Sequence, residues 1–495
     1  MQISKSDYML FLRHPAWLWL KKHDKDKLPP YDENTQAIFD AGFLFETYAE
    51  QLFPSAVKIG FLHDDNFVSY RQMPAKTKKM IESDAKTILQ GRLEAGEATC
   101  IFDVIDRVKG NTFDLYEIKS STGAKSEHIY DLAFQKEVIE TNGIKINRIF
   151  VIHVNNKFVR SGEIKPKEII KITDVTLKVK RLRSFTKTHI ACALDCIKQK
   201  TRPDISPVHA ATGAFGDWLA IYETIAEVDE YSIYHLISPA KLINDFHALG
   251  IKNISEIPEE FILSDKQRRQ FHAVKHDVVH ADAEKIKAFL SQIKYPLYFL
   301  DYETLSSVIP YYDGLGPYKQ LPFQYSLHVL DKPGGKIQHF EYLHRDNTNP
   351  IKPLSDSLKS QIGDKGTVFV WFESFEKSCN ELMGKIDPKY KKFYKSVSKR
   401  ILDLMIPFAD GHYVHKNFFG SASIKKVLPV IIPELSYKDI NIQEGNAAQR
   451  LWMEAILHGK HDEKAKSKIL ADLQKYCELD TLAMVRIYEF LTKIK

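Results

Sequence analysis

Residues Thr99–Gly123 read TCIFDVIDRVKGNTFDLYEIKSSTG. Two apolar, β-rich runs flank a Gly110-Asn111 pair, and this pattern predicts a β-hairpin. Side chains alternate along a strand, so Glu117 and Lys119 share one face while Ile118 turns to the core. Pairing of the two strands can bring Asp103 beside Glu117. Two adjacent carboxylates repel unless a divalent cation lies between them. A neighbouring lysine can orient an attacking water and stabilise a crowded phosphate. The combination points to metal-dependent phosphodiester hydrolysis.

Working outward, MQISKSDYMLFLRHPAWLWLKKHD predicts an amphipathic helix, its apolar run broken by Arg13 and His14. It lacks the small-residue cleavage site of a signal peptide. After the hairpin come a helix around DLAFQKEVIETNG and a strand in NRIFVIHVN, which is an α/β order. Residues 174–200 predict one long helix. Residues 206–292 predict a helical connector. Within it, KLINDFHALGIKNISEIPEEF places a helix stop at Gly250 and suggests a helix-hairpin-helix. At roughly 150 residues per domain the chain holds about three units. The divisions expected are 1–205, 206–292 and 293–495.

The third region opens with YPLYFLDYET, which sets Asp301 and Glu303 on one strand face. Two more strands, a helix, the strand TVFVWF and a further helix follow. TVFVWFESFEKS delivers Glu376 at a strand-to-helix junction. In KYCELD, Tyr476 and Asp480 lie four apart on a helix and share a face. Four carboxylates gathered at the end of a sheet need cations. Two Mg²⁺ or Mn²⁺ ions roughly 3.5–4 Å apart would neutralise them.

The hairpin resembles the PD-(D/E)XK nuclease superfamily, in its RecB-like branch. By that resemblance Glu46, Asp103 and Glu117 bind metal, Lys119 is catalytic, and Gln135 steadies the site or touches DNA. Asp106 points to the opposite strand face. Asp103 is preferred to it, because its spacing to Glu117 fits the family. Many members hold an iron–sulfur cluster with four cysteines, the first in R-C-P. Here that segment is Arg13-His14-Pro15, and PVHAATGAFGDW carries no cysteine. No cluster is expected.

Residues 293–495 resemble the DEDD exonucleases, the DnaQ-like branch of the RNase H fold. Asp301 and Glu303 match the first motif, and Tyr476 with Asp480 the third. The second is usually N-x-x-F-D. Here it reads FESFE, ending on Glu376, so Asn is absent and a longer carboxylate replaces Asp. Asp403 in RILDLM is expected to support the site or cap a helix. The whole order resembles a bacterial family that fuses a RecB-like nuclease domain to a DnaQ-like exonuclease domain. The fold class implied is α/β: a PD-(D/E)XK domain, a helical connector and an RNase H-like domain.

The function expected is a two-site nuclease using Mg²⁺ or Mn²⁺. DNA is the favoured substrate, single-stranded or with free ends, and RNA stays open. The reading from another class is a nucleic-acid-binding scaffold in which one or both sites have decayed. Lys180, Arg181 and Arg183 lie in a basic stretch suited to phosphates, and Lys425 and Lys426 are set near the second site. No P-loop pattern occurs, so any helicase would be a partner, as would a protein of a defence system. The charge balance of 70 basic against 64 acidic residues permits nucleic acid without demanding it. Five scattered cysteines argue against a disulfide framework. No apolar run is long enough to span a membrane, and a cytoplasmic home is expected. His272, His276 and His280 at four-residue spacing read as an exposed helical stripe.

Overall fold

The computed structural model describes residues 1–60 and 67–494. It is mixed α/β, with two sheets that each combine parallel and antiparallel pairs. The chain forms two compact units. One holds residues 1–227 with 308–317, and the other holds 228–307 with 318–495. The expected 206–292 connector is therefore not a unit of its own: its start packs with the first unit and its remainder with the second.

The first unit is built on a seven-stranded sheet. Its strands are β1 (Ile3–Ser4), β2 (Val57–Lys58), β3 (Thr87–Ala95), β4 (Ala98–Lys109), β5 (Thr112–Lys119), β6 (Lys145–Val154) and β7 (Ile170–Asp174). They run in the order β2-β3-β4-β5-β6-β7, with β1 beside β4. The β4–β5 hairpin turns at Gly110, whose φ of +51° is open to glycine at little steric cost. The helix Ser126–Thr141 buries Leu132, Phe134 and Val138 against the sheet, and Phe134 stacks on Tyr8 at 4.9 Å. Segment 308–317 is held by Arg160, which donates to the carbonyls of Pro310 at 2.8 Å and Tyr311 at 2.6 Å.

The amphipathic helix expected at the start is two helices, Lys5–Arg13 and Pro15–His23. Pro15 occupies a first helical position, where its missing N–H is no loss. His14 caps that helix, its Nδ1 accepting from Ala16 N at 3.1 Å. That fixes the proton on Nε2, which donates to the Ser206 carbonyl at 3.1 Å. The ring lies on Trp218, centroids 4.0 Å apart and planes 15° from parallel. The segment Arg13-His14-Pro15 is thus joined to the segment ending at Trp218 by an aromatic stack. Trp218 is fully buried. Trp218→Ala is expected to cost about 3–5 kcal/mol, read as a lowered denaturant midpoint. An unchanged midpoint would remove the stack from the account. Burial lowers the His14 pKa from 6.5 to about 4. The stack's contribution is therefore full above pH 6.5 and falls away as pH drops towards 4.

The second unit holds β8 (His280–Ala281), β9 (Leu297–Leu305), β10 (Leu321–Leu330), β11 (Ile337–Leu343), β12 (Thr367–Val370), β13 (Ile401–Asp403) and β14 (Tyr413–Val414). Five of them form one sheet in the order β11-β10-β9-β12-β13. The first three are antiparallel, and β12 and β13 run parallel to β9 and to each other. The helix Glu463–Leu491 covers one face, where Thr481 meets Ser326 at 2.7 Å. The other face meets the helices Ile351–Gln361, through Tyr325 and Ser357, and Glu373–Ile386, through Tyr302 and Asn380. Burial on both faces explains why β9 and β10 read as nearly continuous apolar runs.

Local expectations fail in three places. The helix expected over 174–200 is two, Thr176–Arg181 and Arg183–Lys198, broken at Leu182. After Gly250, at φ +72°, the chain makes the 3₁₀ turn Ile254–Glu256 instead of a second helix. His280 lies on β8, because the helix Asp265–Lys275 ends before it; only His272 belongs to that helix, and His276 caps it. None of these is set by periodicity alone: each segment finds tertiary partners that override it.

Candidate active sites

In the second unit, strand alternation puts Asp301 and Glu303 on the β9 face covered by the helix Glu463–Leu491. That helix brings Tyr476, Cys477 and Asp480 over them. Ligand atoms of Asp301, Glu303 and Cys477 lie within 4.8 Å of one another. The thiol of Cys477 donates to Asp301 Oδ2 at 3.7 Å. Burial and the surrounding carboxylates push that thiol up, so it stays protonated and is a poor ligand for a hard cation. Tyr437 donates to Asp480 Oδ1 at 2.5 Å, and Lys425 Nζ lies 3.3 Å from the Tyr476 hydroxyl.

Glu376 enters from the helix Glu373–Ile386. It is buried, and its Oε2 has no hydrogen-bond partner among the described residues. The turn before that helix is strained: Phe372 has a φ of +81°. Asp403, at the end of β13, holds the turn. It accepts from Phe372 N at 3.1 Å, Glu373 N at 2.8 Å and Met405 N at 2.9 Å. Asp403 is thus a capping residue that positions the Glu376 helix.

Electrostatically this site is overcharged. Burial first, and then the charge of Asp480, pushes the Asp301 carboxyl far up. Burial and Asp301 do the same to Glu303. Asp480 rises to about 6, chiefly through burial, opposed by the Tyr437 hydrogen bond and Lys425. Burial and Asp301 raise Glu376. An all-oxygen donor set, pushed towards protonation and holding an orphaned carboxylate oxygen, fits hard divalent cations such as Mg²⁺ or Mn²⁺.

In the first unit, Val104 pairs with Tyr116, so one step further Asp103 stands opposite Glu117. Asp103 Oδ2 accepts from Ile118 N at 2.7 Å. Glu117 is fully buried. Its Oε1 takes Lys119 Nζ at 2.6 Å and Lys5 Nζ at 2.8 Å, and its Oε2 takes Gln135 Nε2 at 2.7 Å. Asp131, one helical turn before Gln135, joins through Gln135 at 2.9 Å and Lys119 at 3.2 Å. Burial opposes the charge on Glu117, but Lys119 and Lys5 outweigh it and hold the carboxyl below its ordinary range. Asp103 moves the other way, to about 7, through burial and the charge of Glu117.

The remaining predicted residues are placed as follows. Asp106 points away, bonded to Thr87 Oγ1 at 2.6 Å and Lys86 at 2.9 Å. Glu46 bonds to Gln90 rather than to the Glu117 cluster. Lys180 and Arg181 are exposed, whereas Arg183 reaches Glu137 at 3.6 Å. Lys426 is exposed over the Phe419 ring. Sequence reasoning missed Lys5, Asp131 and Tyr437. Asp131 had a signal, being four residues before Gln135 on one helix face. Lys5 and Tyr437 had none, since both arrive by long-range packing.

Residues 298–423 match a domain of unknown function, DUF2779. That span includes Asp301, Glu303, Glu376 and Asp403 and stops before Lys425, Tyr476 and Asp480. An uncharacterized protein of Mycoplasma genitalium, MG366, is 28% identical over 233 residues, covering 43% of this chain and 34% of its own. Its Mycoplasma pneumoniae homolog is 28% identical over 228 residues, with the same two shares. The uncharacterized protein UU173 of Ureaplasma parvum is 22% identical over 325 residues, covering 60% of this chain and 46% of its own. These alignments therefore span about a third to a half of each curated relative's length. No solved structure matches the chain. Among the described residues, no helix is long and apolar enough to cross a membrane.

Proposed function

We propose that this chain is a metal-dependent nuclease with two phosphodiester-hydrolysing sites, a RecB-like PD-(D/E)XK site in the first unit and a DnaQ-like, RNase H-type site in the second. The observation that carries the proposal is the convergence of Asp301, Glu303, Glu376 and Asp480. Glu303, Glu376 and Asp480 are buried and Asp301 half-buried, and burial together with a neighbouring carboxylate opposes ionisation of Asp301, Glu303 and Glu376. The strand order β11-β10-β9-β12-β13, three antiparallel then two parallel, supports an RNase H-like sheet.

Asp301, Glu303, Asp480 and Glu376 would hold Mg²⁺ or Mn²⁺ in the second site, and Asp103 and Glu117 in the first. Such cations neutralise the carboxylates and stabilise charge on the attacking and leaving oxygens of a phosphodiester. Tyr476, whose hydroxyl is met by Lys425 and Asp480, would position the attacking water. Tyr437 orients Asp480. In the first site Lys119, held cationic by Glu117 and Asp131 against the effect of burial, is the phosphate-facing positive charge. DNA with single-stranded or free ends is the favoured substrate, with RNA second. Lys180 and Arg181 are exposed and would meet phosphates, and a helicase or defence protein would be the partner that opens duplexes.

The scaffold reading finds its support in the first site, where Glu117 already takes three side-chain hydrogen bonds. End-labelled single-stranded DNA and RNA, incubated with the full chain in Mn²⁺ or EDTA, separate the readings. Mn²⁺-dependent cleavage is expected, divided between Lys119→Met and Asp301→Asn and absent in the double variant. Binding without cleavage in Mn²⁺ would refute the nuclease reading and leave the scaffold.

A further inference from the structure

Lys5 is the first residue of the helix Lys5–Arg13, and its backbone is pinned. Ile3 and Ser4 pair with β4. Ser4 and Asp7 cap the helix reciprocally, at 3.2 Å and 2.9 Å. Asp7 is itself clamped by Lys21 at 2.8 Å and Lys22 at 2.7 Å. Only the flexible four-carbon side chain of Lys5 is left to move.

That side chain ends inside the Glu117 cluster. Its ammonium lies 2.8 Å from Glu117, 3.9 Å from Asp103 and 3.9 Å from Asp131. It is held cationic there, since Asp131, Glu117 and Asp103 together overcome the effect of burial. Two ammonium groups thus face three carboxyl groups, and among the described residues Asp103 has no ammonium closer than 3.9 Å. The two lysines differ in their grip. Lys119 has two close carboxylate partners, at 2.6 Å and 3.2 Å. Lys5 has one, at 2.8 Å; both side chains reach solvent, 24% and 29% exposed, so the difference between them is the number of close partners. Both lone pairs of Glu117 Oε1 are taken, by Lys119 and Lys5, so a metal reaches that oxygen only when one of the two lysines leaves.

We infer that Lys5 is an exchangeable resident cation of the first site: its ammonium stands among Asp103, Glu117 and Asp131 where a divalent cation binds, and that cation enters by displacing it to solvent. The inference rests on the metal-site reading of Asp103 and Glu117. A divalent ion supplies the charge the lysine lacks, so exchange neutralises the third carboxylate. The lysine also competes, so the site stays closed at low metal concentration and fills only as the ion outcompetes a tethered ligand.

The test uses the full chain carrying Asp301→Asn and Asp480→Asn, which disables the second cluster. Mn²⁺ binding is followed through the electron paramagnetic resonance signal of the free ion. Lys5→Gln is expected to bind Mn²⁺ about tenfold more tightly than its parent, because the competing charge is gone. Lys5→Arg, which keeps the charge, is expected not to gain affinity. Adding Glu117→Gln to Lys5→Gln is expected to abolish binding. Equal or weaker affinity in Lys5→Gln, with Glu117-dependent binding retained, overturns the exchange and leaves the metal site standing. Absence of Glu117-dependent binding in every variant overturns both. A second measurement needs no substitution at Lys5. Amine acylation mapped by mass spectrometry should find Lys5 protected without metal and labelled several-fold faster in saturating Mn²⁺. Labelling that ignores Mn²⁺ overturns the exchange whether or not Lys5→Gln folds.

Discussion

Asp301→Asn is expected to lower Mn²⁺-dependent cleavage at the second site by about a thousandfold, and at the same time to make the metal-free protein more stable. The two effects share one cause. Asp301 is a half-buried carboxylate that is raised by the charge of Asp480 and in turn raises Glu303. Its neutral isostere cannot complete a cation site, but it relieves the repulsion that the cation would otherwise offset. The pH dependence has a definite sign. Asp480 titrates near 6 in the fold against 3.8 when free. The native state therefore binds more protons than the unfolded chain in that window, and stability falls as pH rises through it. The part due to Asp480 is absent below about pH 4 and complete above about 6. Metal-free wild type should lose stability across that range, and Asp301→Asn should flatten the profile. Denaturant unfolding from pH 4 to 8, alongside cleavage assays, checks both. A variant that cleaves normally, or that is destabilised at pH 7, would contradict the site as described.

The second large effect has the opposite stability sign. Lys119→Met is expected to abolish cleavage at the first site, with a loss of about a hundredfold or more, and to destabilise the fold by about 2 kcal/mol. The figure lies below the ~3–5 kcal/mol of a lone broken ion pair, because Lys5 remains on Glu117. Here the carboxylates are compensated by side chains, so removing a lysine strands charge on Glu117 and Asp131. In the second site the carboxylates repel one another, and Lys425 is the cation that opposes their shifts. One variant in each site therefore moves activity in the same direction and stability in opposite directions. A pair of unfolding curves that shift together would mean that the two clusters do not differ in charge balance.

The residues differ in how legible they were. The pairs Glu117 with Lys119, Asp301 with Glu303, and Tyr476 with Asp480 follow from periods of two and of 3.6, and the structure keeps each pair on one face. The choice of Asp103 over Asp106 rested on spacing, and register then set Asp103 opposite Glu117 while Asp106 bonds Lys86. Glu46 is expected with Asp103 and Glu117, yet its carboxylate bonds Gln90, a partnership set by packing and not by local pattern. The break at Leu182 and the 3₁₀ turn after Gly250 mark where local pattern yields to packing.

By itself, then, the sequence determined what neighbouring residues impose on one another: the hairpin about Gly110-Asn111, the faces of the strands and the last helix, and which carboxylates stand two or four apart. Only the tertiary structure decided that a lysine 112 residues away enters the Glu117 cluster, that Tyr437 reaches Asp480, and that His14 closes on Trp218. The physical reason is range. Backbone geometry couples residues within a turn or a strand, whereas burial brings together groups of any separation, and the electrostatic balance of each site depends on all of the charges that burial has collected.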